Sequence, residues 1–414
     1  MHYDEPAELA SRLDPFRDPY LADPYPFFAE ARAASPVFFS PELAYWIVTR
    51  YADARRVFQT PRLFSASNAL SPIKPICPAA QTILNDGRFN ADPVLTNADP
   101  PAHTRVRRLA NIAFTPRRVA TMESFIRELA ARFFRERFTS GCVDLIQDFA
   151  WELPALVIFR VLGVPDHDVP RIKAGAQSRL LFMFGHPSDE SQIDLARGMA
   201  TFWNYAQEMV AARAVEPRDD FTSDLLLARD GDLPALSRHE VTTVIFGLLL
   251  AGHETTTSLL GNALRRILSD RVAWNEICRD PQLIPNAVEE VLRFDSSVIA
   301  WRRKTTEPVE IGGVAIPAAA NLLILIGSAN RDPEVFNDPE CFDIHRANAD
   351  EHLAFGHGAH FCLGAPLARL EARIVLEEIS ARYPTMRLVP NQAIRFLPNV
   401  SFRGPLDLLA EWDT

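Results

Sequence analysis

A chain of 414 residues with 48% hydrophobic and 23% charged residues can bury a large core and has the make-up of an ordinary globular protein, not of a disordered or fibrous one. Its 43 basic against 53 acidic residues give a net charge of −10, which argues against general affinity for nucleic acid or for anionic membranes. Five widely spaced cysteines without a C-x-x-C suggest neither a disulfide framework nor a zinc site, and fit a reducing cytoplasm.

From the start, M-H-Y-D-E-P-A-E-L carries acids and no apolar run, so neither a signal peptide nor a membrane anchor is expected. No Ser/Gly linker, low-complexity tract or repeat interrupts the rest of the chain, and a single domain over 1–414 is the expectation. The segment D-P-P-A-H-T-R-V-R-R-L, Asp99 to Leu109, sets His103 and Arg107 one helical turn apart. Between Asp99 and Glu123 there is no acid, while Arg105, Arg107, Arg108, Arg117 and Arg118 form a basic island. Taken alone, such a run is usually a solvated face.

Most of 125–292 reads helical. Its most apolar stretch, Val244 to Gly252, is far too short to cross a bilayer and reads as buried helix. Ser237 and Glu240 have capping-box spacing at its start, and apolar residues continue through Leu259, Leu260, Leu264 and Ile267, so the spacing predicts one long helix through the core. Its middle, A-G-H-E-T-T from Ala251 to Thr256, puts an acid and hydroxyls where burial without partners is costly. Ala251 and Gly252 leave a gap through which a ligand could approach the backbone.

In N-A-V-E-E-V-L-R-F, Glu290 and Arg293 share a helical face. Alone that spacing marks a solvated ion pair of little worth. Val309 to Ile326 alternates and breaks at Gly312-Gly313 and Pro317, which reads as short strands and a turn.

The most specific segment is Phe355 to Gly364, F-G-H-G-A-H-F-C-L-G. Gly356 and Gly358 can take the positive φ that a tight loop needs, and Gly364 leaves room beside the sulfur of Cys362. Beyond it, Leu363, Leu367, Leu370 and Ile374 fall at helical spacing and Pro366 suits a first turn, so a helix N-terminus would direct its partial charge at the sulfur. This predicts a thiol of lowered pKa, suited to holding iron as thiolate.

The pattern F-G-x-G-x-H-x-C-x-G fixes six positions in ten, and on it the chain resembles the cytochrome P450 family, in its soluble bacterial branch. The resemblance implies a mainly α fold with a smaller β-rich lobe around haem b, with Cys362 as the axial iron ligand. Phe355, Gly356 and Gly364 from the loop, and Ala251 and Gly252 from the long helix, would abut the haem. The acid–alcohol pair Glu254 and Thr255 would deliver protons to dioxygen. Glu290 and Arg293, with Arg346 of F-D-x-x-R, would form a buried structural cluster. His103, Arg107, Arg303 and His360 would meet the propionates, and W-R-R-K leaves open whether Arg302 or Arg303 points inward. One departure appears: where relatives often have I-P-x-G, this chain has Ile316, Pro317, Ala318 and Ala319.

The implied activity is insertion of one oxygen atom from O₂ by hydroxylation, epoxidation or O-dealkylation, the cofactor carrying the chemistry. Electrons would come from a ferredoxin or an FMN/2Fe-2S reductase drawn to the basic island. Ser296 to Thr305 is similar to haem domains of self-sufficient members fused to such a reductase, so the donor is either separate or fused in the native gene. By position relative to the motifs, Gly247, Leu250 and Ala251, then Val298, Ile299 and Ala300, and Asn399 to Ser401 with Val400 line the pocket, with Phe182 and Phe184 as a lid. These favour an apolar, including aromatic, small molecule over a sugar or nucleotide. Two other readings, an H₂O₂-driven peroxygenase and a non-enzymatic haem sensor, are disfavoured by the Glu254–Thr255 pair.

Overall fold

The capping box forms as its spacing predicts. The Glu240 N–H donates to Ser237 Oγ at 3.2 Å, and the Glu240 carboxylate accepts the Ser237 N–H at 2.8 Å. Two otherwise orphaned helix donors are thereby satisfied. In the computed structural model, which describes residues 5–169, 172 and 177–413, the long helix that starts here runs Arg238–Ser269. Val241, Ile245, Leu249, Leu260, Leu264 and Ile267 along it are fully enclosed. Each such side chain contributes roughly 1.5–3 kcal/mol of burial. The partners that enclose it are the helices Leu153–Leu162, Asp189–Val215 and Ala365–Arg382, so it is the axis of a mainly helical body.

The smaller β part forms a five-stranded sheet in the order β1 (Val37–Ser40), β2 (Tyr45–Val48), β8 (Asn321–Ile324), β5 (Trp301–Thr305) and β3 (Phe64–Ser65). β2 and β8 run parallel and the other pairs antiparallel. β6 (Val309–Ile311) and β7 (Val314–Ile316) make the expected hairpin, turning on Gly312 and Gly313 at φ of 56° and 79°. A three-stranded sheet joins β4 (Cys142–Asp144), β10 (Leu409–Glu411) and β9 (Arg387–Leu388).

The departure at Ile316–Ala319 has a visible consequence. Ala319 takes the left-handed φ of 59° that a glycine would occupy without strain. Thr305 holds the turn: its Oγ1 donates to the Pro317 carbonyl at 2.7 Å and accepts the Ala320 N–H at 2.8 Å, while its own carbonyl accepts the Ala319 N–H at 2.9 Å.

On the helix Ile284–Phe294, Glu290 and Arg293 have no exposure at all and bond through two contacts of 2.6 and 2.7 Å. Arg346 adds its Nε to the same carboxylate at 3.1 and 3.2 Å. The two guanidiniums then reach the carbonyls of Asn330, Asn337, Asp338, Pro339 and Cys341. This buried network pins the chain that leads into the cysteine loop.

Candidate functional site

In the loop, Gly356 and Gly358 adopt φ of 70° and 71°. At Gly358 a Cβ would come within 2.8 Å of the Phe58 carbonyl, so glycine is required twice over. Cys362 is fixed by its N–H donating to the Phe355 carbonyl at 3.0 Å, and the helix Ala365–Arg382 starts at Gly364. The N–H groups of Gly364 and Ala365 point at the sulfur, with the cations of Arg107 and Arg369 nearby. A Cβ on Gly364 would stand 3.9 Å from Sγ. Cys362 is exposed on the wall of a cavity onto which its sulfur opens. Enclosure pushes the thiol pKa up, and the donors and cations only partly offset this. The lowered pKa expected from the loop therefore does not hold in this state: the desolvation cost exceeds what two N–H groups return.

The cavity extends from this loop to the long helix. Phe355, Gly356, His360, Cys362 and Gly364 line it from one side, and Gly247, Ala251, Gly252, Glu254 and Thr255 from the other. Thr255 Oγ1 donates to the Ala251 carbonyl at 2.9 Å. A Cβ on Gly247 would meet no atom of the described residues within 4 Å. Gly252 differs. A Cβ on it would fall 2.4 Å from Ile158 Cγ1, so glycine there admits the crossing helix, while its backbone and Ala251 line the cavity.

At the polar end, His103 on the helix Ala102–Ala113 stacks on His360 with ring centres 3.9 Å apart and planes at 37°. The His360 Nδ1–H donates to the Leu95 carbonyl at 3.1 Å. Burial, followed by the neighbouring cations, lowers the pKa of His103 to about 4 and of His360 to about 3, so both rings are neutral at pH 7. Their Nε2 atoms are buried and have no partner among the described residues. Arg303, 3% exposed, lines the cavity and makes no ion pair among the described residues. Burial lowers its pKa to about 10. Arg302 turns away to the carbonyls of Ser71 and Ala69, which settles the orientation of W-R-R-K. Arg107 lines the cavity too and donates to the Phe361 carbonyl at 2.6 Å.

Of the expected pocket residues, Gly247, Ala251, Val298 and Phe184 line the cavity. Ile299 and Ala300 do not: they pack with Tyr25 and Phe28 in a separate core cluster. Val400 and Phe182 are likewise enclosed in the main core. In each case a buried apolar residue near a motif packs protein instead of facing the cavity. Leu250 lies on the long helix, but its side chain falls outside the described residues. Lining residues that sequence reasoning missed include Leu95, Leu180, Ser297, Trp301, Phe402 and Glu371. Trp301 could have been found, because it lies two residues before Arg303 on β5 and so shares its face.

The basic island is mostly neutralised by acids elsewhere in the chain. Arg105 pairs with Glu240, Arg108 with Asp230 at 2.7 Å, and Arg118 with Asp224 and Asp219. Exposed Ile112 and Phe361 lie beside it. Among the described residues no helix is long and apolar enough to cross a membrane.

Comparison with known proteins places these features. The family model described as "Cytochrome P450" matches residues 194–384. The vitamin D(3) 25-hydroxylase of Pseudonocardia autotrophica is 37% identical over 380 residues, covering 91% of this chain and 90% of that protein. The solved structure of cytochrome P450 CREJ with (4-ethylphenyl) dihydrogen phosphate superposes with a TM-score of 0.94 at 39% identity, covering 98% of this chain and 100% of that one. An intact type IV self-sufficient cytochrome P450 monooxygenase also gives a TM-score of 0.94 at 39% identity, with 98% of this chain matching 53% of that longer one.

Proposed function

Since this chain belongs to the cytochrome P450 family and is accordingly a haem b oxidoreductase, we propose that it inserts one oxygen atom from O₂ into an apolar, aromatic small molecule, with electrons from a ferredoxin or an FMN/2Fe-2S reductase. The observation that carries this reading is the sulfur of Cys362, set at a helix N-terminus on one wall of a cavity that Glu254 and Thr255 also line.

The residues present fit a haem. The His103 Nε2, in the tautomer that carries its hydrogen there, and the cation of Arg303, neither with a partner among the described residues, offer donors to two propionates, and His360 Nε2 joins them once a propionate's charge favours protonation of its ring. The open side of Gly364 leaves Cys362 Sγ accessible as a ligand. When bound, the haem supplies the activation of dioxygen and the oxidation of the substrate.

The chain's own residues do the rest. Cys362 gives up its proton on ligation, because burial favours the neutral thiol until a metal takes the charge. Thr255 Oγ1 would donate its hydrogen inward as it leaves the Ala251 carbonyl and take up a replacement from water held by the Glu254 carboxylate, which draws the next proton from solvent. Leu95, Leu180, Phe184, Val298 and Phe402 keep water from the substrate. The aryl phosphate bound by the similar CREJ structure supports an aromatic substrate class.

The test is the absorption spectrum of the dithionite-reduced protein under carbon monoxide, in wild type and in Cys362→Ser. The red-shifted Soret band of a thiolate complex is expected in the wild type and lost in the variant. A well-folded protein with no haem spectrum, or a variant that keeps the band, would overturn the reading.

A further inference from the structure

Three aromatic rings stand together on the strand side of the cavity. Phe184 and Phe402 meet edge to face, with centres 4.8 Å apart and planes at 89°. Trp301 lies 5.8 Å from Phe184, tilted by 31°, and 6.2 Å from Phe402 at 86°. All three line the cavity. Such a wall accepts a further flat ring through edge-to-face or offset contacts, which a puckered saturated ring of the same size cannot reproduce because it has no quadrupole. Room for a ring exists on the same cavity's long-helix side, where Gly247 presents no side chain and a Cβ would touch no described residue within 4 Å.

The wall also has a polar feature. Trp301 is only half buried, and its indole N–H donates to no residue among those described. Trp274, by contrast, gives its indole N–H to the Pro384 carbonyl at 2.9 Å. An indole N–H can donate but not accept, so it selects an acceptor atom on whatever packs against it. The charge behind the wall agrees. The Arg302 guanidinium lies 4.7 Å from the centre of Phe184 and is held by the backbone carbonyls of Ser71 and Ala69, with no ion pair among the described residues. In the monooxygenase reading Arg107 and Arg303 face a thiolate and propionates, whereas among the described residues no carboxylate pairs with Arg302. Its field favours electron density on the ligand.

We propose that the substrate is a single-ring aromatic bearing an oxygen substituent, its ring packed against Trp301, Phe184 and Phe402 and its oxygen accepting the Trp301 indole N–H. This deepens the monooxygenase reading and rests on it for the identity of the cavity. Trp301 is thus assigned as a specificity-determining residue.

Phenol, benzene and cyclohexanol separate the two elements of the proposal. Each is titrated into haem-loaded protein, with the Kd read from the Soret shift and, independently, by calorimetry. Phenol is expected to bind about tenfold more tightly than either of the others, benzene lacking the acceptor and cyclohexanol the flat ring. Trp301→Phe, which keeps a ring on the wall, is expected to remove the advantage of phenol over benzene and to leave benzene within about twofold of its wild-type Kd. Phe402→Leu is expected to narrow the gap between phenol and cyclohexanol. Cyclohexanol binding as tightly as phenol, no binding by any of the three, or Trp301→Phe keeping the phenol advantage would each overturn the proposal. These outcomes are read only on protein with the thiolate carbon monoxide band, so a failure of the monooxygenase reading shows itself earlier, as the absence of that band.

Discussion

Glu290 and Arg293 bond to each other at 2.6 and 2.7 Å with neither side chain exposed, and Arg346 completes the carboxylate's coordination. Removing one member leaves charge buried without a partner, which costs about 3–5 kcal/mol, far more than the pair contributes over apolar residues of the same shape. Glu290→Gln is therefore expected to lower stability by that amount and to reduce haem-loaded yield, because Arg293 and Arg346 hold the carbonyls of the chain leading into the cysteine loop. Urea unfolding, followed by tryptophan fluorescence, checks it. A midpoint unchanged from wild type would show that the network does not support the fold.

Glu371 presents the opposite case. It sits on the helix after the cysteine loop, fully buried, with no hydrogen-bond partner among the described residues for either carboxylate oxygen. Burial raises its pKa well above the ordinary carboxylate value, so it is held as the neutral acid. A raised folded-state pKa makes the stability linked to this group complete below the unfolded pKa, and that stability is lost as pH rises through the folded value. Glu371→Gln, neutral at every pH, is expected to be more stable than wild type by about 1–3 kcal/mol at neutral pH, with the difference vanishing near pH 4. Urea midpoints at both pH values decide the matter. An equal difference at the two would show that Glu371 does not titrate on unfolding.

At Ala319 the strain is in the backbone. An alanine at φ 59° gives up roughly 1–2 kcal/mol relative to a right-handed conformation, and glycine recovers most of that while adding some unfolded-state entropy. Ala319→Gly is expected to raise stability by about 0.5–1 kcal/mol without altering substrate affinity, since Thr305 already fixes the turn. A loss of stability in the same unfolding assay would mean that the alanine methyl packs usefully.

How much of the molecule was legible in the sequence depends on how each signal arises. The capping box at Ser237, the hairpin at Gly312-Gly313 and the helix after Gly364 are local, so spacing and residue type sufficed. The cysteine loop was legible because glycines at positive φ leave few alternatives. The pocket was not, because which face of a segment meets the cavity is decided by partners distant in sequence: Ile299 and Ala300 belong to a core built with Tyr25 and Phe28. At Gly252, only the crossing of Ile158 shows what the missing side chain makes room for. The arginine run from Arg105 to Arg118 looked like free charge, because Asp219, Asp224, Asp230 and Glu240, which neutralise much of it, lie more than a hundred residues downstream.

Thr255 offers the test that separates the two oxygen sources. Its hydroxyl is bonded to the Ala251 carbonyl at 2.9 Å and lines the cavity with Glu254. If this pair delivers protons for O₂ reduction, Thr255→Ala removes the last hydroxyl of the relay while leaving the apolar wall and the cysteine loop intact. Product formed per NAD(P)H consumed is then expected to fall about 10²-fold or more, the typical contribution of a positioned proton donor, while substrate Kd stays within about twofold. When H₂O₂ replaces O₂ and the reductase, the variant is expected to keep its wild-type peroxide-driven rate, because the oxidant brings its own protons. Equal coupling in variant and wild type under O₂, together with peroxide turnover matching the NAD(P)H-driven rate, would instead identify a peroxygenase, and the acid–alcohol pair would then serve only helix packing.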